Sequence, residues 1–193
     1  MIEQPVDWQA FERNAAGYEA CYATRRGRRV DRAERALLER LLAPFADSQS
    51  ALEVGCGTGH FTQWLARRLP RVVGLDGAPA MLAEAQRCRP SLLLIQGDAH
   101  HLPIRNRAVD LSVFVITLEF VEDPMVALSE AVRIARRGIL VVALNRWSVG
   151  GFRAVGVLMR CARCLGEPET SRSRPLARWR RPPQDPGSAR SSG

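Results

Sequence analysis

The sequence contains no lysine: all 28 of its basic residues are arginine. That pattern looks more like a coding bias than a selected phosphate-binding surface. The formal charge of +8 and the pI near 10.4 are also unevenly placed. Residues 1–159 hold 20 Arg against 17 acids, whereas residues 160–193 hold 8 against 3. The part able to fold is only mildly basic, so nucleic acid is not the expected partner. Cysteine is scarce as well. Cys21, Cys56, Cys88, Cys161 and Cys164 are odd in number and lack framework spacing, which argues against a disulfide scaffold. Cys161 and Cys164 have no second pair to complete a zinc site, so no metal is expected. Long apolar runs are missing too. The most apolar stretch, residues 138–159, is broken by Asn145, Arg146 and Arg153, and central arginines argue against a membrane span. The first residues show neither a basic segment nor an apolar one of the secretory kind, so the sequence predicts a cytoplasmic protein.

What is present suits one globular domain: 193 residues, 46% hydrophobic and 25% charged. Residues 1–30 mix Trp8, Phe11, Tyr18 and Tyr22 with charge and predict a short helix or two. Ala33, Ala36, Leu37, Leu38, Leu41 and Leu42 recur at helical spacing before Pro44. Strand and helix patterns then alternate. Strands are predicted at 51–54, 71–76, 92–96, 109–115 and 139–144, with helices at 61–69, 78–88 and 123–136. The strands are continuous aliphatic runs, as strands covered on both faces should be. This alternation predicts an α/β fold, a Rossmann-like, doubly wound, mostly parallel sheet with helices on both faces. Residues 167–193 are rich in Arg, Pro and Ser and are expected to be disordered. The expected organisation is an N-terminal lid or helical segment at 1–30, the Rossmann-like domain at 31–159, and a basic tail at 160–193.

One segment carries the chemistry. Leu52-Glu53-Val54-Gly55-Cys56-Gly57-Thr58-Gly59 follows a predicted strand and opens a predicted helix. Glycines there let the chain turn sharply and let a ligand lie against bare backbone. The next strand ends in Asp76, whose carboxylate can accept both hydroxyl hydrogens of a ribose. Dinucleotide folds space their glycines G-x-G-x-x-G to seat a pyrophosphate; here the spacing is G-x-G-x-G. Glu53, two residues before the first glycine, would sit badly beside a pyrophosphate but comfortably near an ammonium group.

The string from Leu52 to Gly59 resembles the first motif of class I S-adenosylmethionine-dependent methyltransferases, particularly the ubiquinone and menaquinone methylase branch. Further similar stretches follow in order: 73–82, Gln96-Gly97-Asp98-Ala99 with Leu102-Pro103, Val109-Asp110-Leu111, and 120–124. The resemblance covers residues 37–145. It implies S-adenosyl-L-methionine as cofactor and methyl transfer to a small-molecule acceptor. It also implies that Gly55, Gly57 and Gly59 line the methionine portion and that Asp76 holds the ribose hydroxyls. Gly77 and Met81 would lie near ribose and adenine, Asp98 would bond the adenine amino group, and Ala99 would offer a backbone N–H. Thr117 would face cofactor and acceptor. Thr117 and Glu119 are the weak candidates for a catalytic part, Glu119 reading more readily as a solvated loop acid than as a base. Departures from the pattern are Arg136-Arg137-Gly138 where Pro-Gly-Gly is usual, and Glu119 where His is frequent. No strand candidate is visible beyond Leu144, so the family's sixth and seventh strands are expected to be missing. Two other readings stay open: a cofactor-binding protein impaired in catalysis, and an arginine-rich RNA-binding module. Cys56 reads as a small packing residue, and His100 and His101 as members of a surface loop. Tyr18, Tyr22 and Arg26 read as either a lid over the cofactor or plain packing.

Overall fold

The computed structural model describes residues 9–145 and 153–160. The chain opens with two helices, α1 (Gln9–Ala23, kinked at Asn14) and α2 (Arg25–Leu42). Thr24 caps α2 by accepting a hydrogen bond from the Gly27 N–H at 2.9 Å. Glu34, Leu38 and Leu42, four residues apart, form its buried stripe. Pro44 sits in the short turn that ends it. There follow β1 (Ser50–Val54), α3 (His60–Ala66), β2 (Arg71–Asp76), α4 (Pro79–Cys88), β3 (Leu93–Gln96) and β4 (Val109–Val115). The chain closes with α5 (Pro124–Ile134), β5 (Ala135–Asn145) and β6 (Arg153–Arg160).

The sheet order is β3-β2-β1-β4-β5-β6. The first five strands are parallel, and β6 runs antiparallel to β5 with Gly138 opposite Arg160 and Asn145 opposite Arg153. Alternate residues of the central strands go to opposite faces. Leu111, Val113, Leu140 and Val142 meet Leu38, Phe61 and Leu65 from α2 and α3. Leu52, Val54, Phe114 and Ile139 meet Ala127, Ala131 and Ile134 from α5. Both faces are therefore covered, which is why these strands are aliphatic throughout. Asp110 fastens the start of β1 to β4: its carboxylate accepts the Gln49 and Ser50 N–H groups at 2.7 and 3.0 Å.

Two expectations change. Strand β6 replaces the predicted absence of any strand after Leu144. Its sequence carries Gly156 in mid-run and an arginine at each end, which hides it from a pattern search, while pairing along the whole of β5 stabilises it regardless. A seventh strand, the predicted disorder of 167–193 and the Cys161/Cys164 pair lie outside the described residues. The last helix also ends at Ile134 rather than 136, because Ala135 is already extended and pairs with Val109.

Leu38 is fully buried between α2 and the sheet. Leu38→Ala is expected to cost about 2–5 kcal/mol through lost burial and a residual cavity, read as a lowered urea midpoint at unchanged slope. Glu53, in the middle of β1, is only 1% exposed and accepts a hydrogen bond from the Thr62 hydroxyl of α3. Burial drives its carboxyl up from 4.5 to about 8; the Asp76 charge adds to this, and the Thr62 bond opposes it. A raised folded value favours the neutral acid, so its stabilising contribution is full below pH 4.5 and lost as pH rises through about 8. Glu53→Gln should therefore flatten the fall in melting temperature between pH 5 and 9. An unchanged pH profile would show that Glu53 is ionised in the fold.

Candidate functional site

The parallel strands all end at one edge, and the turn after β1 and the end of β2 meet there. The Gly55 and Cys56 N–H groups both donate to the Leu75 carbonyl, at 2.7 and 2.9 Å. Gly57 N–H donates to Asp76 Oδ2 at 2.7 Å, and Ala78 N–H to Oδ1 at 2.9 Å. The carboxylate that closes β2 thus shapes the glycine turn. Gly55, Gly57 and Gly59 have φ of 72, 53 and 79°, the left-handed region where a side chain is strained. At Gly55 the space is closed too: a Cβ would lie 2.1 Å from Thr117 Cγ2.

A cavity of about 700 Å³ opens over this turn, within the range usual for small-molecule sites. Gly55, Gly57, Asp76, Gly77 and Met81 form one wall. Asp98, Ala99 and His100 form a second, with Thr117 at the end of β4. Eight of the ten cofactor candidates therefore converge. Two do not. Gly59 caps α3 and backs onto Leu92, whose Cδ1 would lie 2.6 Å from an added Cβ. Glu53, expected beside a ligand ammonium group, lies instead under the turn on Thr62 and does not line the cavity, because the inward alternation of β1 aims it at α3. Of the catalytic candidates, Glu119 is half-buried and outside the cavity wall, and Thr117 spends its hydroxyl on the Val54 carbonyl at 2.9 Å.

The electrostatics differ between Asp76 and Asp98, two of the acids that line the cavity. Burial raises the Asp76 carboxyl, opposed by the backbone N–H groups of Ala78 and Gly57. Asp98 is pulled down, chiefly by the His100 N–H. The His100 ring bonds the same Asp98 oxygen at 2.7 Å through Nδ1 and accepts the Asp123 N–H at 3.1 Å through Nε2. Behind this loop, Glu130 accepts the Leu102 N–H at 2.8 Å while Arg133 holds the Leu102 and Ile104 carbonyls. The pair His100 and His101 belongs to this loop, with His101 on the surface.

The cavity has an aromatic cover. Phe11 and Tyr18 of α1 line it, and Phe11 packs edge-on against Phe120 with ring centres 4.9 Å apart. Of the three residues suggested as a lid, only Tyr18 reaches the cavity. Tyr22 stacks on His60 at 4.0 Å, and Arg26 is exposed outside the wall. Ile116 is unforeseen. It is β-branched yet has φ of 58°, a costly conformation held by its N–H bond to the Val142 carbonyl at 2.7 Å. No local signal marks it, since the twist is imposed by tertiary contacts. Among the described residues, no cluster of three His, Cys, Asp or Glu could hold a metal ion, and no helix is long and apolar enough to cross a membrane.

Comparison with known proteins agrees with this geometry. Residues 52–143 match the family described as "Methyltransferase domain". A malonyl-[acyl-carrier protein] O-methyltransferase of Serratia marcescens is 31% identical over 149 residues, covering 76% of this chain and 54% of the relative. A demethylmenaquinone methyltransferase of Renibacterium salmoninarum is 33% identical over 109 residues, covering 55% of this chain and 46% of the relative. The chain thus spans about half the length of the curated relatives it matches. A solved S-adenosylmethionine-dependent methyltransferase of Thermotoga maritima superposes with a TM-score of 0.53 at 27% identity, covering 72% of this chain and 61% of that one. With the glycine turn, the Asp76 strand end and the parallel sheet order all inside the matched segment, this chain belongs to the class I S-adenosylmethionine-dependent methyltransferases.

Proposed function

We propose that the cavity binds S-adenosylmethionine and that the chain transfers its methyl group to a small-molecule acceptor. The observation that carries this reading is the Gly57–Asp76 bond, which sets bare backbone beside a carboxylate in one cavity wall. The fit is good. A Cβ at Gly57 would meet only Met81 Cε, at 3.7 Å, so the open side of that glycine is space a ligand can use. In this reading Gly55 and Gly57 carry the methionine portion, and Asp76 takes the ribose hydroxyls with the lone pairs its backbone bonds leave. Gly77 and Met81 flank ribose and adenine. Asp98 meets the adenine amino group, and Ala99 offers its N–H. Relatives named for malonyl-[acyl-carrier protein] and for demethylmenaquinone support an acceptor outside the nucleic acids.

The chemistry supplied by the bound group is a methyl on a sulfonium, already activated. The protein's part is then to hold the acceptor in line and keep water out. Thr117 supports the turn as a spacer behind Gly55, and Phe11, Tyr18 and Phe120 exclude solvent. The reading of a binding protein without turnover drew on the loss of the C-terminal strands, and β6 removes part of that ground.

Titration calorimetry with S-adenosylhomocysteine should show one saturable site, and Asp76→Ala should weaken it at least about tenfold, or about 1.4 kcal/mol. Absence of a saturable site, or an Asp76→Ala protein that binds as the wild type does, would overturn the assignment. A radiolabelled-methyl assay over carboxylate, phenol and quinol acceptors then identifies the product. Gly55→Ala should abolish binding and lower the melting temperature, since the new methyl collides with Thr117 and the backbone is strained.

A further inference from the structure

Helix α1 covers the cavity through Phe11 and Tyr18, yet its firmest polar attachment is made elsewhere. Glu19 follows Tyr18 directly and turns away from the cavity toward the glycine turn. One carboxylate oxygen accepts the Thr58 hydroxyl, and the other accepts Arg89 Nη2 at 2.8 Å. Arg89, just past the end of α4, donates through Nη1 to the Thr58 carbonyl at 2.9 Å. The three residues close a ring: lid to turn, turn to arginine, arginine to lid. Thr58 lies between Gly57, which lines the cavity, and Gly59, which caps α3, so the ring grips the turn at its middle. His60 extends it. Its Nδ1 is 3.9 Å from Glu19, its Nε2 is 2.7 Å from Asp31 of α2, and Tyr22 of α1 stacks on its ring.

None of Glu19, Thr58, Arg89 or His60 lines the cavity. Partly buried charges are costly to desolvate unless each is met by good partners, and here both carboxylate oxygens and the guanidinium are matched. Burial works against ionisation of Glu19, but the bonds from His60, Arg89 and Thr58 outweigh it and hold the carboxyl at about 2. The charge is present throughout the physiological range. Such an arrangement links two things a cofactor needs together, a closed lid and a correctly bent turn.

We propose that Glu19 is a positioning residue that couples the lid helix to the glycine turn, so that cofactor retention depends on a side chain outside the cavity. The inference rests on the cofactor reading above. Seating a ligand on the turn steadies Thr58, which steadies Glu19 and the helix that bears it; by reciprocity, docking of the helix slows escape of the ligand.

Hydrogen exchange and dissociation kinetics with S-adenosylhomocysteine on the full chain test this. In the wild type, the ligand should slow exchange across α1. Glu19→Gln should raise Kd about tenfold, mostly through faster dissociation, a usual size for such coupling. Ligand-induced protection of α1 should disappear while exchange in β1, β4 and β5 stays as in the wild type. Thr58→Val, which deletes one bond of the ring and no charge, should move Kd the same way by a smaller factor. Glu39→Gln, which breaks the surface pair with Arg68, should change neither readout. If Glu19→Gln or, should that protein fail to fold, Thr58→Val keeps wild-type dissociation and α1 protection, the coupling is overturned and the cofactor site stands. If the wild type shows no saturable binding, the cofactor reading fails and the coupling with it.

Discussion

The hydrogen bond from Gly57 N–H to Asp76 Oδ2 is the constraint on which the rest of the site depends. It joins two adjacent parallel strands at the point where both run out, and it does so between a residue without a side chain and one whose side chain is a carboxyl group. Parallel pairing sets the ends of β1 and β2 at one level. Only then can the carboxylate of the second reach the turn of the first. The aliphatic layers on both sheet faces act as the foundation of this arrangement, because a shift of one strand by a single residue would separate the pair.

The scaffold was largely legible in the chain because continuous aliphatic strands, glycine punctuation and helical spacing are local signals. The boundaries of β1, β2 and β4 follow from them to within a residue, and so does the meeting of the glycine turn with Asp76; Thr117 entered only through the family resemblance. What escaped notice is set by contacts distant in sequence. Strand β6 is stabilised by pairing with β5, not by its own composition. Glu53 sits beside the glycines in sequence, but strand alternation carries it under the turn to Thr62. The aromatic cover joins Phe11 to Phe120 across more than a hundred residues, and nothing in the sequence pairs the two positions. Ile116 violates local preference outright.

Three carboxylates around one turn have been given different characters by their neighbours. Glu53 meets only a hydroxyl in an apolar layer and leans to the neutral form. Glu19 meets a guanidinium, a hydroxyl and an imidazole and stays ionised. Asp76 is raised by burial, with the backbone N–H groups of Ala78 and Gly57 opposing. Negative charge is thereby held at the lid attachment and kept low behind the glycines, where it would repel Asp76.

The left-handed Ile116 has a consequence for anyone altering this protein. Strain of this kind amounts to about 1–3 kcal/mol, a visible fraction of the folding free energy of a small domain, about 5–15 kcal/mol. The fold tolerates it because the Val142 carbonyl leaves the segment after β4 no cheaper path. Glycine at this position would relax the backbone, but it would forfeit the packing of the Ile116 side chain against the core and free the stretch that seats Thr117 against Gly55. A strained backbone and a packed side chain are thus bound together at one residue of the cavity lining, and the core contact is what keeps this stretch stiff.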